Sequence, residues 1–203
     1  MKKNPLFIVL FLSTCTTYLS AQTFGIKGGL NLADLRFRIE TSDEEETLSL
    51  DTKTSFYIGG FMEVPLKDKK TKFQAELLYQ RNGASLDGVD AILSQIQIPL
   101  IFKFYAAEGF YINTGGYFSF IIDAQEDVDG ISIGINDEFK SIDAGLIAGI
   151  EYNLESGFFF DARYNLGLAN ISDADDEIFE ETGLNAETFV RNRVFQLGIG
   201  YKF

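Results

Sequence analysis

The sequence predicts an all-β fold, eight antiparallel strands closed into an up-and-down barrel, and three observations predict it. The last nine residues alternate without a break, with Phe195, Leu197, Ile199, Tyr201 and Phe203 on one face and Gln196, Gly198, Gly200 and Lys202 on the other. Seven earlier segments, each of roughly ten residues, show the same period of two. The connections between these segments alternate long and short, as they must when strands run up and down a wall. An apolar row that continues to the final residue also needs a partner, because a frayed terminus would leave it in water.

The first strand runs from Phe24 to about Leu35, with Phe24, Ile26, Leu30 and Leu32 opposite Lys27 and Asn31. An acidic segment, Glu40 to Lys53, leads to the second, Ser55 to Leu66, where Phe56, Ile58, Met62, Val64 and Leu66 oppose Tyr57, Phe61 and Glu63. The polar turn Lys67 to Thr71 makes a hairpin with the third strand, Lys72 to Arg81, which sets Phe73, Ala75, Leu77 and Tyr79 against Gln74, Glu76, Leu78 and Gln80. After a loop over Gly83 to Ser94, the fourth strand places Ile96, Ile98, Leu100, Phe102 and Phe104 opposite Gln95, Gln97, Pro99, Ile101 and Lys103. Pro99 has no N–H to give a ladder, so a bulge or a gap in pairing is expected beside it.

A tight turn at Ala106 to Gly109 starts the fifth strand, Phe110 to Ile122. A second acidic loop, Asp123 to Lys140, precedes the sixth, in which Ile142, Ala144, Leu146, Ala148, Ile150 and Tyr152 face away from Asp143 and Glu151. The turn Leu154 to Gly157 follows, and the seventh strand sets Phe158, Phe160, Ala162, Tyr164, Leu166 and Leu168 against Asp161, Arg163 and Asn165. Asn170 to about Arg191 is the longest acidic loop, with a short helix expected over Asp175 to Thr182. The eighth strand closes the chain.

At 203 residues this is one barrel domain, residues 22–203, behind a secretory leader. Lys2 and Lys3, the apolar run Leu6 to Leu12 and Leu19-Ser20-Ala21 mark a signal peptide over residues 1–21, cleaved after Ala21. The alternative is a lipoprotein signal ending at Cys15, the only cysteine. Beyond the leader no segment reaches the roughly 18 consecutive apolar residues of a spanning helix, so residence in a membrane would be by strands.

The C-terminal strand, alternating and ending in Phe203, resembles the closing strand of bacterial outer-membrane barrels. Four segments, Phe24-Gly-Ile-Lys-Gly-Gly-Leu-Asn-Leu32, Ala75-Glu-Leu-Leu-Tyr79, Ile96-Gln-Ile-Pro-Leu100 and Asp161-Ala-Arg-Tyr-Asn-Leu-Gly167, resemble the porin-T-like outer-membrane β-barrel domain family. The resemblance implies a transmembrane β-barrel in the bacterial outer membrane, with membrane lipid as its first partner and recognition of the last strand by the barrel-insertion machinery. In the orientation usual for such barrels, the short turns and both termini face the periplasm. The long connections, which hold 21 of the 30 acidic residues, then face outward, where a protein partner could meet them.

Eight alternating strands fit two barrels of opposite sense. A secreted or periplasmic lipocalin-like barrel would keep the apolar rows inside around a small apolar ligand. A membrane barrel turns them outward, and the strand ends favour it: Phe73, Phe104, Phe110, Tyr152, Phe158, Tyr201 and Phe203 share one face and one level, as in an aromatic girdle at a lipid–water interface. Just above that level, on the other face, stand Lys27, Glu63, Glu76, Lys103, Glu151, Asp161, Arg163 and Lys202, four of each sign. Directed inward they would form a paired network filling a lumen only wide enough for side chains.

Histidine is absent and the only cysteine lies in the leader, which removes the usual nucleophile–base pairs and thiolate metal sites. Cleavage leaves 15 basic residues against 30 acidic, a balance unsuited to nucleic acid. No cofactor is expected. Asp127, Asp129, Asp173, Asp175 and Glu177 are weak candidates for holding a cation, since the spacing after Asp123 to Gly130 fails as a calcium loop. Together with the resemblance, this leads to the expectation of a non-enzymatic envelope protein with a structural or surface-interaction role.

Overall fold

The computed structural model describes residues 22–40, 45–49, 51–68, 70–86, 89–128, 131–134, 142–171 and 187–203. Ten strands form one sheet: β1 (Thr23–Glu40), β2 (Glu45–Ser49), β3 (Asp51–Pro65), β4 (Thr71–Leu86), β5 (Val89–Ala107), β6 (Phe110–Val128), β7 (Ile131–Gly134), β8 (Ile142–Asn153), β9 (Phe158–Gly167) and β10 (Glu187–Lys202). Eight of them make the wall in the order β1, β3, β4, β5, β6, β8, β9, β10, every neighbour antiparallel, and β10 pairs back onto β1 to close it. The two short strands hang on the outer extensions, β2 on β1 and β7 on β6.

The stagger of the closed wall follows from the ladder. Stepping across partners from Phe24 leads through Met62, Ala75, Leu100, Gly116, Leu146, Leu166 and Arg193 to Asp34, ten residues further along β1. For eight strands that shear tilts each strand by about 40° from the axis and leaves an interior that side chains fill.

Alternation assigns the two faces. Lys27, Glu76, Lys103, Glu151, Asp161, Arg163, Asn31 and Gln196 are buried inside, whereas Ile26, Ile58, Leu77, Phe118, Leu146 and Ile199 are exposed on the outside. This is the inverse of a ligand-holding barrel and rules out the lipocalin-like arrangement. Two inward glycines make room for rings: a methyl on Gly200 would run into Phe159, and one on Gly198 into the Tyr57 hydroxyl. The turn glycines Gly109 and Gly157 have φ of 71° and 91°, which other residues adopt only with strain.

Pro99 keeps its register with Tyr117 on β6, but no ladder pair joins it to β4, where pairing jumps from Ala75–Leu100 to Leu78–Gln97. The missing N–H accounts for the gap.

Several wall strands run further outward than the segments expected from the sequence. β1 continues to Glu40 and β10 begins at Glu187, paired residue for residue, and the expected loop at 83–94 is a hairpin whose arms pair from Asn82–Leu93 to Leu86–Val89. The acidic loop expected from Asp123 likewise begins as strand, with Asp127 paired to Asp90 and Ser132. The leader expected over residues 1–21 and the helix expected over Asp175 to Thr182 lie outside the described residues.

Candidate functional site

All eight charged residues expected in the lumen meet there, delivered by β1, β3, β4, β5, β8, β9 and β10. They form two linked groups. Near the short-turn end, Lys103 Nζ lies 2.9 Å from Glu63 Oε2 and 2.6 Å from Glu151 Oε2, while Lys202 Nζ lies 3.2 Å and 3.0 Å from the same two residues. The second group joins Lys27 Nζ to Asp161 Oδ2 at 2.8 Å, and Arg163 to Glu76 at 2.9 Å and to Asp161 at 2.8 Å. Gln74 links the groups, accepting from Lys103 and donating to Glu76.

Several participants escaped the sequence reading. Lys72 donates to Glu63 Oε1 at 2.8 Å and makes the balance five cations to four carboxylates. Its signal was its position two residues before Gln74 on the same face, obscured by its place at the strand's edge. Phe159 also points inward and meets Phe61, which the alternation had already set on the face of Glu63, edge to face at 5.5 Å. Lys202, Lys103 and Lys27 lie 5.2, 5.7 and 5.9 Å from the Phe159 ring centroid. The positive edges and negative face of that ring let a crowded cation cluster share an apolar filler.

Further outward the lumen changes character. Ile101, Tyr117 and Ile147 pack as a buried apolar cluster, and Tyr117 donates to Asp143 Oδ2 at 3.1 Å. Beyond it is a tier of amides: Gln196 donates to Asn31 and Gln80, Gln80 to Gln95, and Asn31 to Asn82. The filling thus passes from a dense ion-paired network to a mostly amide tier, with the apolar cluster between them and one buried carboxylate, Asp143, bound by Tyr117.

On the outside, Phe104, Tyr152, Phe158, Tyr201 and Phe203 are exposed, with Phe73 and Phe110 half-buried beside them. Phe158 and Tyr201 are 4.9 Å apart, Tyr201 and Phe203 5.7 Å, and Phe73 and Phe102 5.3 Å. Asp127, one of the five cation candidates, stands in β6, and Asp129, Asp173, Asp175 and Glu177 lie outside the described residues. Among the described residues, no three acidic, histidine or cysteine side chains gather to hold a metal.

An apolar exterior, a charged and amide-filled interior and a closed antiparallel wall define a membrane-spanning β-barrel. The chain belongs to the outer membrane protein beta-barrel domain family, whose match covers residues 20–173, and it resides in the bacterial outer membrane. No curated protein matches it in sequence. Among solved structures it is similar to the Neisserial surface protein A (NspA), with TM-score 0.54 and 16% identity over 89% of this chain and 97% of that one. It also aligns with the outer membrane protein OprG from Pseudomonas aeruginosa, with TM-score 0.44 and 18% identity over 90% and 96% of the two chains. A third, Ail, the attachment invasion locus protein of Yersinia pestis, aligns with TM-score 0.42 and 15% identity over 87% and 98%.

Proposed function

We propose that this protein is a non-enzymatic structural or surface-interaction protein of the envelope, with a lumen closed to ions and acidic segments presented outside the cell. One observation carries the closed lumen: five cations and four carboxylates from seven of the eight wall strands are paired across it, with Phe61 and Phe159 packed among them. Moving an ion through would require parting buried pairs that water does not reach, a cost of several kcal/mol for each.

A non-enzymatic role is supported by the lack of histidine and of any cysteine beyond the leader. The four quoted segments support a narrower placement with porin-T-like barrels. β10 suits recognition by the insertion machinery, since its apolar residues face outward where it completes the wall, Phe203 N–H donating to Phe24 O at 2.8 Å.

Planar-bilayer recordings test the reading: purified protein should give no stepwise conductance, and stable unitary steps would refute a closed lumen. Crosslinking from the outer segments on intact cells should capture an envelope or host protein if they serve recognition. Capture of lipid alone would leave the structural role standing and remove the surface one.

A further inference from the structure

The outer wall carries a groove of about 440 Å³ between β10, β1 and β3, lined almost entirely by apolar atoms of Ile26, Ile58, Ile199, Phe158 and Tyr201, with Gly28 among them. Gly28 and its neighbour Gly60, which pairs with Ile26, occupy outward positions in the alternation. A methyl on Gly60 would meet nothing nearer than 3.5 Å, whereas one on Gly29, Gly59 or Gly115 would strike a neighbouring carbonyl. Packing within the wall therefore does not demand glycine at Gly60, and its effect is to leave space on the lipid side.

From that depression the outward residues of β3 run through Met62 and Val64 to Leu66 and end at the first short turn. Lys67 and Lys70 are exposed there. The turn is held firmly, for Leu66 N–H donates to Thr71 O at 2.8 Å, Thr71 N–H and Oγ1 donate to the Asp68 carboxylate at 2.9 and 2.6 Å, and Tyr105 N–H donates to Lys70 O at 2.9 Å. The Thr71 hydroxyl and amide hold the Asp68 carboxyl below its ordinary range, so it stays ionised, and three lysines against one aspartate leave the turn positive. The other two short turns carry Glu108 and Glu155 and no cation. Positive charge on this rim is thus gathered at the foot of the strand that leads to the groove.

Six residues separate Gly60 from Leu66, which at this tilt is about 15 Å of depth, or half of a hydrocarbon core. We propose that this strip is a docking site for one anionic phospholipid of the short-turn leaflet, its acyl chain in the groove and its phosphate against Lys67 and Lys70. An apolar tail of that reach joined to an anion matches both ends of the strip. A second copy of the chain would bring an apolar wall to the groove but only Glu108 and Glu155 among its short turns to the lysines.

The chain has no tryptophan, so Leu66→Trp supplies a single reporter. Reconstituted in phosphatidylcholine with a small fraction of chain-brominated phosphatidylglycerol, or of chain-brominated phosphatidylcholine as the matched probe, the full chain should be quenched far more steeply by the anionic lipid. The preference should be on the order of fivefold per lysine at low salt. Lys67→Gln with Lys70→Gln should bring the two slopes together, and Gly28→Val should weaken quenching by the anionic probe. Equal slopes before any lysine change would overturn the site. A preference that survives the double glutamine would overturn the headgroup assignment, and an unchanged slope in Gly28→Val would remove the groove as the tail's seat. Each variant is compared only after its folded, SDS-resistant band is seen, and Gly28→Ala replaces Gly28→Val should the larger side chain prevent folding.

Discussion

Arg163 on β9 spans the lumen to Glu76 on β4, with Nη1 2.9 Å from Oε2 and Nη2 3.1 Å from Oε1. The two strands are not ladder neighbours, so this fork ties opposite sides of the wall through its axis. Both side chains are fully buried. Further contacts help to offset the burial of the pair, with Arg163 Nε 2.8 Å from Asp161 Oδ2 and Gln74 donating to Glu76.

Removing the guanidinium should be costly. Arg163→Ala leaves Glu76 with a distant ammonium, Lys27 at 3.7 Å, and deprives Asp161 of one of its two cations. Loss of about 3 to 5 kcal/mol is expected, read as a lower urea midpoint in lipid vesicles. Arg163→Met combined with Glu76→Leu should recover most of it, because no charge is then stranded. An unchanged midpoint in the single variant would contradict the network.

Phe159 separates packing from ring electrostatics. Phe159→Ala opens a cavity among three ammonium groups and should cost about 3 to 5 kcal/mol. Phe159→Leu keeps most of the volume and loses only the ring face, so about 1 to 2 kcal/mol is expected. The temperature at which the compact band disappears from gels ranks the two, and equal losses would show that the ring face contributes nothing.

Glycines of the wall should divide by direction. A β-carbon on Gly200 meets the Phe159 ring and, at 2.7 Å, the Ile26 carbonyl, so Gly200→Val should destabilise by about 1 to 3 kcal/mol or block closure of β10 on β1. Gly60→Ala makes only an ordinary contact, with the Gly25 carbonyl at 3.5 Å, and should stay within about 0.5 kcal/mol of the parent. Refolding yield into short-chain lipid vesicles checks both.

Depth on the outer face is open to measurement through the missing tryptophan. Phe104→Trp lies in the girdle and Leu100→Trp four residues further along the same outward row. Lipids brominated near the headgroup should quench the first more strongly, and lipids brominated near the chain end the second. The reverse order would misplace the girdle.

Much of this molecule could be read along the chain, because alternation is local. A period of two sorted Lys103 from Phe104 and Arg163 from Tyr164 without any tertiary information, and the level aromatics at Phe158, Tyr201 and Phe203 were visible as strand ends. Lys72 and Phe159 were missed although their parity placed them inward, the first at a strand edge and the second inside the run Phe158 to Phe160, where three successive rings hide the period. β1 was expected to end at about Leu35, although Leu35, Phe37 and Ile39 continue the period of two against Arg36, Arg38 and Glu40 as far as the observed end of the strand.

From the sequence alone came the existence of eight wall strands, the side on which most of their residues lie and the eight ionised side chains held inside. Only the tertiary structure decided which cation meets which carboxylate, that Gln74 joins the two groups, and that Gly28 and Gly60 sit beside a groove in the wall. Those outcomes depend on the ten-residue stagger with which β10 returns to β1. Stagger is a property of the closed circuit, set by ladder bonds and side-chain volume around the whole ring, and no single strand's periodicity contains it.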